Sequence, residues 1–149
     1  MQDRTKCEHA GPLVGLKIKG ERRWYSINES DWKPMKIGVA DIPGFFWIPV
    51  ATDENGAWAS YWMRVDAGAQ SPKHRHDSTE LILILDGTFT DDDGTDFLPG
   101  QTVSYLAGSQ HSTSSAHGCT VLVVSQTGAS ITKSIVKDAG NVSGGRNLD

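Results

Sequence analysis

The sequence predicts an all-β fold, a jelly-roll-like β-sandwich or barrel, and three observations carry that expectation. Short runs rich in Val, Ile, Thr, Trp and Tyr recur along the chain between Gly, Asp and Pro turn signals. Leu81–Leu85 is apolar at every position, where a half-solvated strand would alternate, so it is expected to be covered on both faces. The chain has 149 residues, 38% of them hydrophobic, which is enough for one domain with a real core but not for two.

Residues 1–11 read as a loose end and 138–149, Gly- and Asn-rich, as a disordered tail, leaving 12–137 as the domain. Within it, Leu13–Lys19 and Trp24–Ile27 are expected as short strands. Asp31-Trp32-Lys33-Pro34 is expected as a turn or loop, because Pro34 has no N–H to give to a ladder. Ile37–Val50 carries two Pro-marked breaks, Ile42-Pro43-Gly44 and Ile48-Pro49, around Phe45-Phe46-Trp47. That aromatic trio is too apolar to face water as a patch, so it should pack on the barrel or on a second subunit. Asp53-Glu54-Asn55-Gly56 is a turn signal and Trp58–Val65 a strand. Asp86-Gly87 and Asp93-Gly94 flank Thr88-Phe89-Thr90, and Pro99-Gly100 turns the chain before Thr102–Leu106. Ala107-Gly108-Ser109 leads into His111. Thr120–Ser125 and Ile131–Val136 are the last strands expected.

The formal net charge is −4, with no basic stripe, so neither nucleic acid nor an anionic membrane surface is an expected partner. No apolar run approaches the roughly 20 residues of a membrane span. The polar start MQDRTKCEHAG lacks the apolar core of a signal peptide, and a cytoplasmic location is the default expectation. In that compartment a disulfide between Cys7 and Cys119 is disfavoured.

The chemistry concentrates in GAQSPKHRHDSTELILILDG, residues 68–87, which has the pattern Gly-x5-His-x-His-x3-Glu-x6-Gly. Strand side chains alternate faces, so His74 and His76 point the same way. Glu80, Ile82 and Ile84 share that face if the strand continues without a bulge. His111 enters from another strand after the Gly108 turn. Two imidazoles, a carboxylate and a third imidazole at one end of an apolar lumen make a site for a first-row metal: Fe(II), Mn(II), Ni(II), Cu(II) or Zn(II). With four protein ligands in an octahedron, two adjacent positions stay open for a substrate.

Other residues admit blander readings. Asp91-Asp92-Asp93, with Asp96, lacks the spacing of a calcium loop and reads as a solvated hairpin tip. His117 sits in a Ser/Gly loop and reads as a surface histidine, with a proton shuttle as the alternative. His9 needs no role. Trp58, Tyr61, Trp62 and Met63 are core residues or pocket walls, and Ile82, Ile84, Tyr61 and Thr113 are the substrate-pocket candidates. Arg64 either clamps a carboxylate or enolate or makes a surface ion pair.

Residues 68–87 resemble the first signature of the cupin superfamily, with every specified residue present. Gly100 to Ser115 resembles the second, Gly-x5-Pro-x-Gly-x2-His-x3-Asn, with Leu106 in place of Pro and Ser115 in place of Asn. These departures touch the local turn and a supporting contact rather than the ligand His111. More narrowly, Asp31–Pro34, Leu85–Gly94 and Ser114–Cys119 resemble the branch containing the cupin domains of ChrR-type anti-sigma factors and acetylacetone dioxygenase. The resemblance implies one divalent metal per chain on His74, His76 and His111, with Glu80 as fourth ligand or supporting partner. Fe(II) is favoured, with Zn(II), Ni(II) or Mn(II) as alternatives. It leaves three functions open: a non-haem Fe(II) dioxygenase for a small diketone or hydroxyketone, with Glu80 and Arg64 as catalytic candidates; a Zn or Ni isomerase, cyclase or hydrolase; and a metal- or ligand-binding sensor module. A homodimer and a small-molecule substrate are the expected partners.

Overall fold

In Trp58–Val65 and Cys119–Gln126 every second residue is buried, and this period of two builds the centre of the molecule. The computed structural model describes residues 13–126. The expectations for residues 1–11, His9, the Cys7–Cys119 pair, Ile131–Val136 and the tail at 138–149 fall outside them. The described strands are β1 (Leu16–Lys19), β2 (Arg22–Tyr25), β3 (Lys33–Ile37), β4 (Ala40–Thr52), β5 (Trp58–Val65), β6 (His74–Arg75) and β7 (Glu80–Gly87). They continue with β8 (Phe89–Asp91), β9 (Asp96–Phe97), β10 (Thr102–Tyr105), β11 (Gln110–His111), β12 (Thr113–Ser114) and β13 (Cys119–Gln126).

One six-stranded sheet, in the order β10-β7-β13-β5-β4-β3, forms the main layer. Smaller sheets, β11-β6 and β12-β8-β9, complete the sandwich, and β1-β2 is a separate hairpin. The core lies on the inner face of the large sheet, where Tyr61, Met63 and Val65 of β5, Ile82 and Ile84 of β7, and Val121 and Val123 of β13 meet Phe89 of β8. Burying each such side chain stabilises the fold by roughly 1.5–3 kcal/mol.

Gly87, the last residue of the first motif, has φ +76°, and a Cβ there would stand 2.0 Å from the Gly118 carbonyl oxygen. Only glycine lets these two backbones meet. At the other end, Asp31 ties the N-terminal hairpin down: its carboxylate accepts from the Val14 and Gly15 amides (3.0 and 3.2 Å) and from the Tyr25 hydroxyl (2.8 Å).

Several expectations are corrected. Lys33 and Pro34 belong to a strand, not a loop, because β3 lies at the sheet edge, where a missing N–H is tolerated. Ile37–Val50 is not broken at its prolines: β4 runs for 13 residues through both. Pro43 has no register partner on either side, and Pro49 pairs only with Tyr61, just before a register shift. Leu81–Leu85 is not covered on both faces. Ile82 and Ile84 are buried, whereas Leu81 and Leu85 point outward at 41% and 42% exposure. The short N-terminal strands are also displaced, ending at Lys19 and Tyr25.

Candidate metal centre

His74 and His111 are register partners in the two-residue ladder β6-β11. His76 follows directly, and backbone bonds to the next turn fix it: His76 N donates to Ser109 O (2.9 Å) and Gly108 N to His76 O (2.6 Å). The two departures in the second motif leave this frame intact. Leu106 is exposed, and Ser109 holds its turn by donating both N–H (3.0 Å) and hydroxyl (2.7 Å) to the Leu106 carbonyl. Ser115 is fully buried and donates its hydroxyl to Thr88 O at 2.6 Å.

The three imidazoles converge through their Nε2 atoms. His76 Nε2 lies 2.9 Å from His111 Nε2, which lies 3.1 Å from His74 Nε2. The opposite ring nitrogens are engaged elsewhere: His74 Nδ1 faces the Pro72 carbonyl at 3.1 Å, and His111 Nδ1 faces Asp91 Oδ1 at 2.6 Å. Those partners only accept, so Nδ1 carries the proton in both rings and Nε2 presents a lone pair to the centre. Burial, reinforced by His111 and His74, pushes His76 down to about 4, and burial also lowers His74, so both rings are neutral at pH 7. Lone pairs crowded at this spacing repel unless a cation lies between them. Two nitrogens at right angles about an ion at about 2.1 Å stand roughly 3.0 Å apart. The donor set therefore fits a first-row divalent ion, and His74, His76 and His111 can hold one.

Glu80 lies beside this trio, not within it. Its carboxylate accepts from Ser125 Oγ at 2.9 Å and stands 4.0 Å from His76 Nδ1. Burial raises it to about 7, against the opposing Ser125 hydrogen bond.

A cavity of ≈ 40 Å³ opens beside the histidines, room for about three waters. Phe45, Met63, Ile82 and Phe89 supply apolar wall, and Glu80, Ser71 and Thr113 a polar strip. Of the pocket candidates, Tyr61, Ile82 and Thr113 line it, while Ile84 is buried on the same face without reaching it. Arg64 does not serve as a clamp. It shares the outward side of β5 with Trp62, stacks over Trp32 (4.8 Å) and Phe46 (4.7 Å), and pairs with Glu29 at 3.1 Å. This same stacking covers Phe46, while Phe45 and Trp47 lie in the core, so the aromatic trio packs on its own domain. Trp58 also lies outward, at 39% exposure, and His117 is exposed.

Asp91 and Tyr105 are the functional residues that the sequence reading missed. Asp91 Oδ2 accepts from the Tyr105 hydroxyl at 2.9 Å while Oδ1 holds His111. The available signal was alternation: Asp91 is two residues from buried Phe89, on the same face.

A β-sandwich with three imidazoles converging inside it is a cupin. The chain belongs to the ChrR cupin-like domain family, whose profile matches residues 21–129. No curated protein matches in sequence. Among solved structures, acetylacetone dioxygenase from Acinetobacter johnsonii superposes with a TM-score of 0.64 at 11% identity, over 83% of this chain and 96% of that one. The polyketide cyclase RemF from Streptomyces resistomycificus gives 0.57 at 16% identity, over 71% and 81%. Rhodobacter sphaeroides SigE in complex with the anti-sigma ChrR gives 0.54 at 20%, over 66% of this chain and 50% of that one. At such identities the likeness is one of fold. Among the described residues no helix is long and apolar enough to cross a membrane.

Proposed function

We propose that the protein is a non-haem Fe(II) dioxygenase for a small diketone or hydroxyketone, with the ion on His74, His76 and His111. The observation that carries this reading is the convergence of three Nε2 atoms beside a small, largely apolar cavity. Bound there, the metal supplies Lewis acidity and, as iron, the electrons that dioxygen chemistry needs.

The protein's own groups do the rest. Phe45, Met63, Ile82 and Phe89 keep the cavity dry, and the Ser71 and Thr113 hydroxyls orient the substrate's oxygens. Glu80, raised to about 7 and lining the cavity, takes the proton released when a diketone binds as its enolate. Its carboxylate supports the site from beside His76. The protein acts in the cytoplasm as a homodimer, with the outward Leu81, Leu85 and Trp58 as the uncharged face that a second copy covers.

Two other readings have specific support. A three-histidine set suits zinc or nickel equally, which would make the protein an isomerase, cyclase or hydrolase. Family membership favours a binding or sensing module. Anaerobic purification, metal analysis and an oxygen electrode with a panel of diketones separate the three. Bound iron with substrate-dependent oxygen uptake supports the dioxygenase. Stoichiometric zinc, with no uptake by the iron-reconstituted protein, overturns it.

A further inference from the structure

We infer that Asp91 and Tyr105 form a clamp that sets the orientation of two of the three metal ligands, and that the acidic hairpin is thereby part of the metal centre. This rests on the reading of His74, His76 and His111 as ligands. The clamp is built from three strands. Asp91 ends β8, Tyr105 ends β10 and His111 ends β11.

Both carboxylate oxygens of Asp91 are committed: Oδ1 to His111 Nδ1 at 2.6 Å, Oδ2 to the Tyr105 hydroxyl at 2.9 Å. The Tyr105 ring then lies nearly parallel to His76, with centroids 5.2 Å apart and planes at 9°, and packs 3.9 Å from the His111 ring centre. One carboxylate thus fixes His111 directly and His76 through the tyrosine. Its neighbours do different work. Asp92 accepts from the Ser112 amide at 3.3 Å, and Asp93 from the Thr95 amide at 2.9 Å within the turn. Only Asp91 of the three meets an imidazole.

The three ligands consequently have unequal support. His74 leans on a neutral carbonyl at 3.1 Å, His76 has a carboxylate 4.0 Å away, and His111 is bonded to one at 2.6 Å. A carboxylate on Nδ1–H strengthens the donor at Nε2 and fixes the ring's tautomer. His111 is the anchor of the site, and Asp91 and Tyr105 are positioning residues for it.

The test is cobalt(II) affinity, measured by chelator competition on full-length protein, with the visible Co(II) spectrum recorded. Asp91→Asn is expected to weaken binding about 10–100-fold and shift the Co(II) bands. Tyr105→Phe should weaken it less, and its effect should shrink in the Asp91→Asn background. Asp92→Asn, one residue away, should change nothing. In the zinc-loaded protein, a far-downfield His111 Nδ1–H proton resonance should be present and should disappear in Asp91→Asn. Circular dichroism of the metal-free variants checks that each is folded; if Asp91→Asn is not, Tyr105→Phe and the resonance decide. Unchanged affinity and spectrum in folded Asp91→Asn, with metal lost in His111→Ala, overturns the clamp alone. Metal retained in His111→Ala overturns the metal-centre reading beneath it.

Discussion

Glu80 and Ser125 are register partners across β7 and β13, and their side chains are bonded at 2.9 Å on the inner face of the sheet. That bond turns the carboxylate of the first motif toward the sheet. Burial favours the neutral acid and raises its folded-state value to about 7. A raised value contributes stability that is fully present below the unfolded value near 4.5 and lost as pH climbs through 7. Metal-free protein should therefore lose on the order of 2–4 kcal/mol from Glu80 between pH 4.5 and 8. Glu80→Gln should flatten that decline in denaturant unfolding at several pH values. An unchanged decline in the variant would show that Glu80 is not its source.

His76→Ala should lose bound metal while staying folded. The ring is buried, but β6 beside it is only two residues long and the large sheet does not depend on it. Metal analysis after anaerobic purification should fall from one ion per chain to near none, with the far-ultraviolet spectrum unchanged. Full occupancy in the variant would remove His76 from the ligand set.

Asp31 sets a different dependence. Burial raises its carboxyl, but the Val14 and Gly15 amides and the Tyr25 hydroxyl outweigh that and leave it below its ordinary value. Its contribution is present above the unfolded value near 3.9 and fades as pH falls through the lowered one. Tyr25, raised to about 12 by burial and by Asp31, favours the fold until pH passes from 10 towards 12. Asp31→Ala leaves these donors without their acceptor and should cost about 1–3 kcal/mol. Thermal melts at pH 7 check this, and a loss that persists unchanged at pH 2.5 would contradict the assignment.

Leu81→Lys with Leu85→Lys places two cations on the outward face without touching Ile82 or Ile84 behind it. If a second copy covers that face, sedimentation should move from dimer to monomer with no loss of melting temperature. A dimer that survives both substitutions does not use it.

The three histidines were legible because their spacing needs only strand alternation and one turn. Trp58–Val65 was legible for the same reason: its own residues decide its pattern. What misled was context. Pro34 and Pro49 break a strand only where their missing N–H faces a partner, and the sheet order that spares them is a property of distant strands. Leu81–Leu85 looked doubly covered because outward leucines and inward isoleucines are equally apolar. Asp91 was lost among three aspartates; the β12-β8 register brings it toward the site, and composition does not encode register.

The β6-β11 ladder joins only two residue pairs, and one of them is His74 with His111. So short a pairing is marginal unaided. An ion held by both residues would act as a clasp on the rim of the lumen. Opening the clasp would release the metal and unlatch the doorway in one event, so metal exchange and substrate entry would draw on the same small reserve of backbone stability.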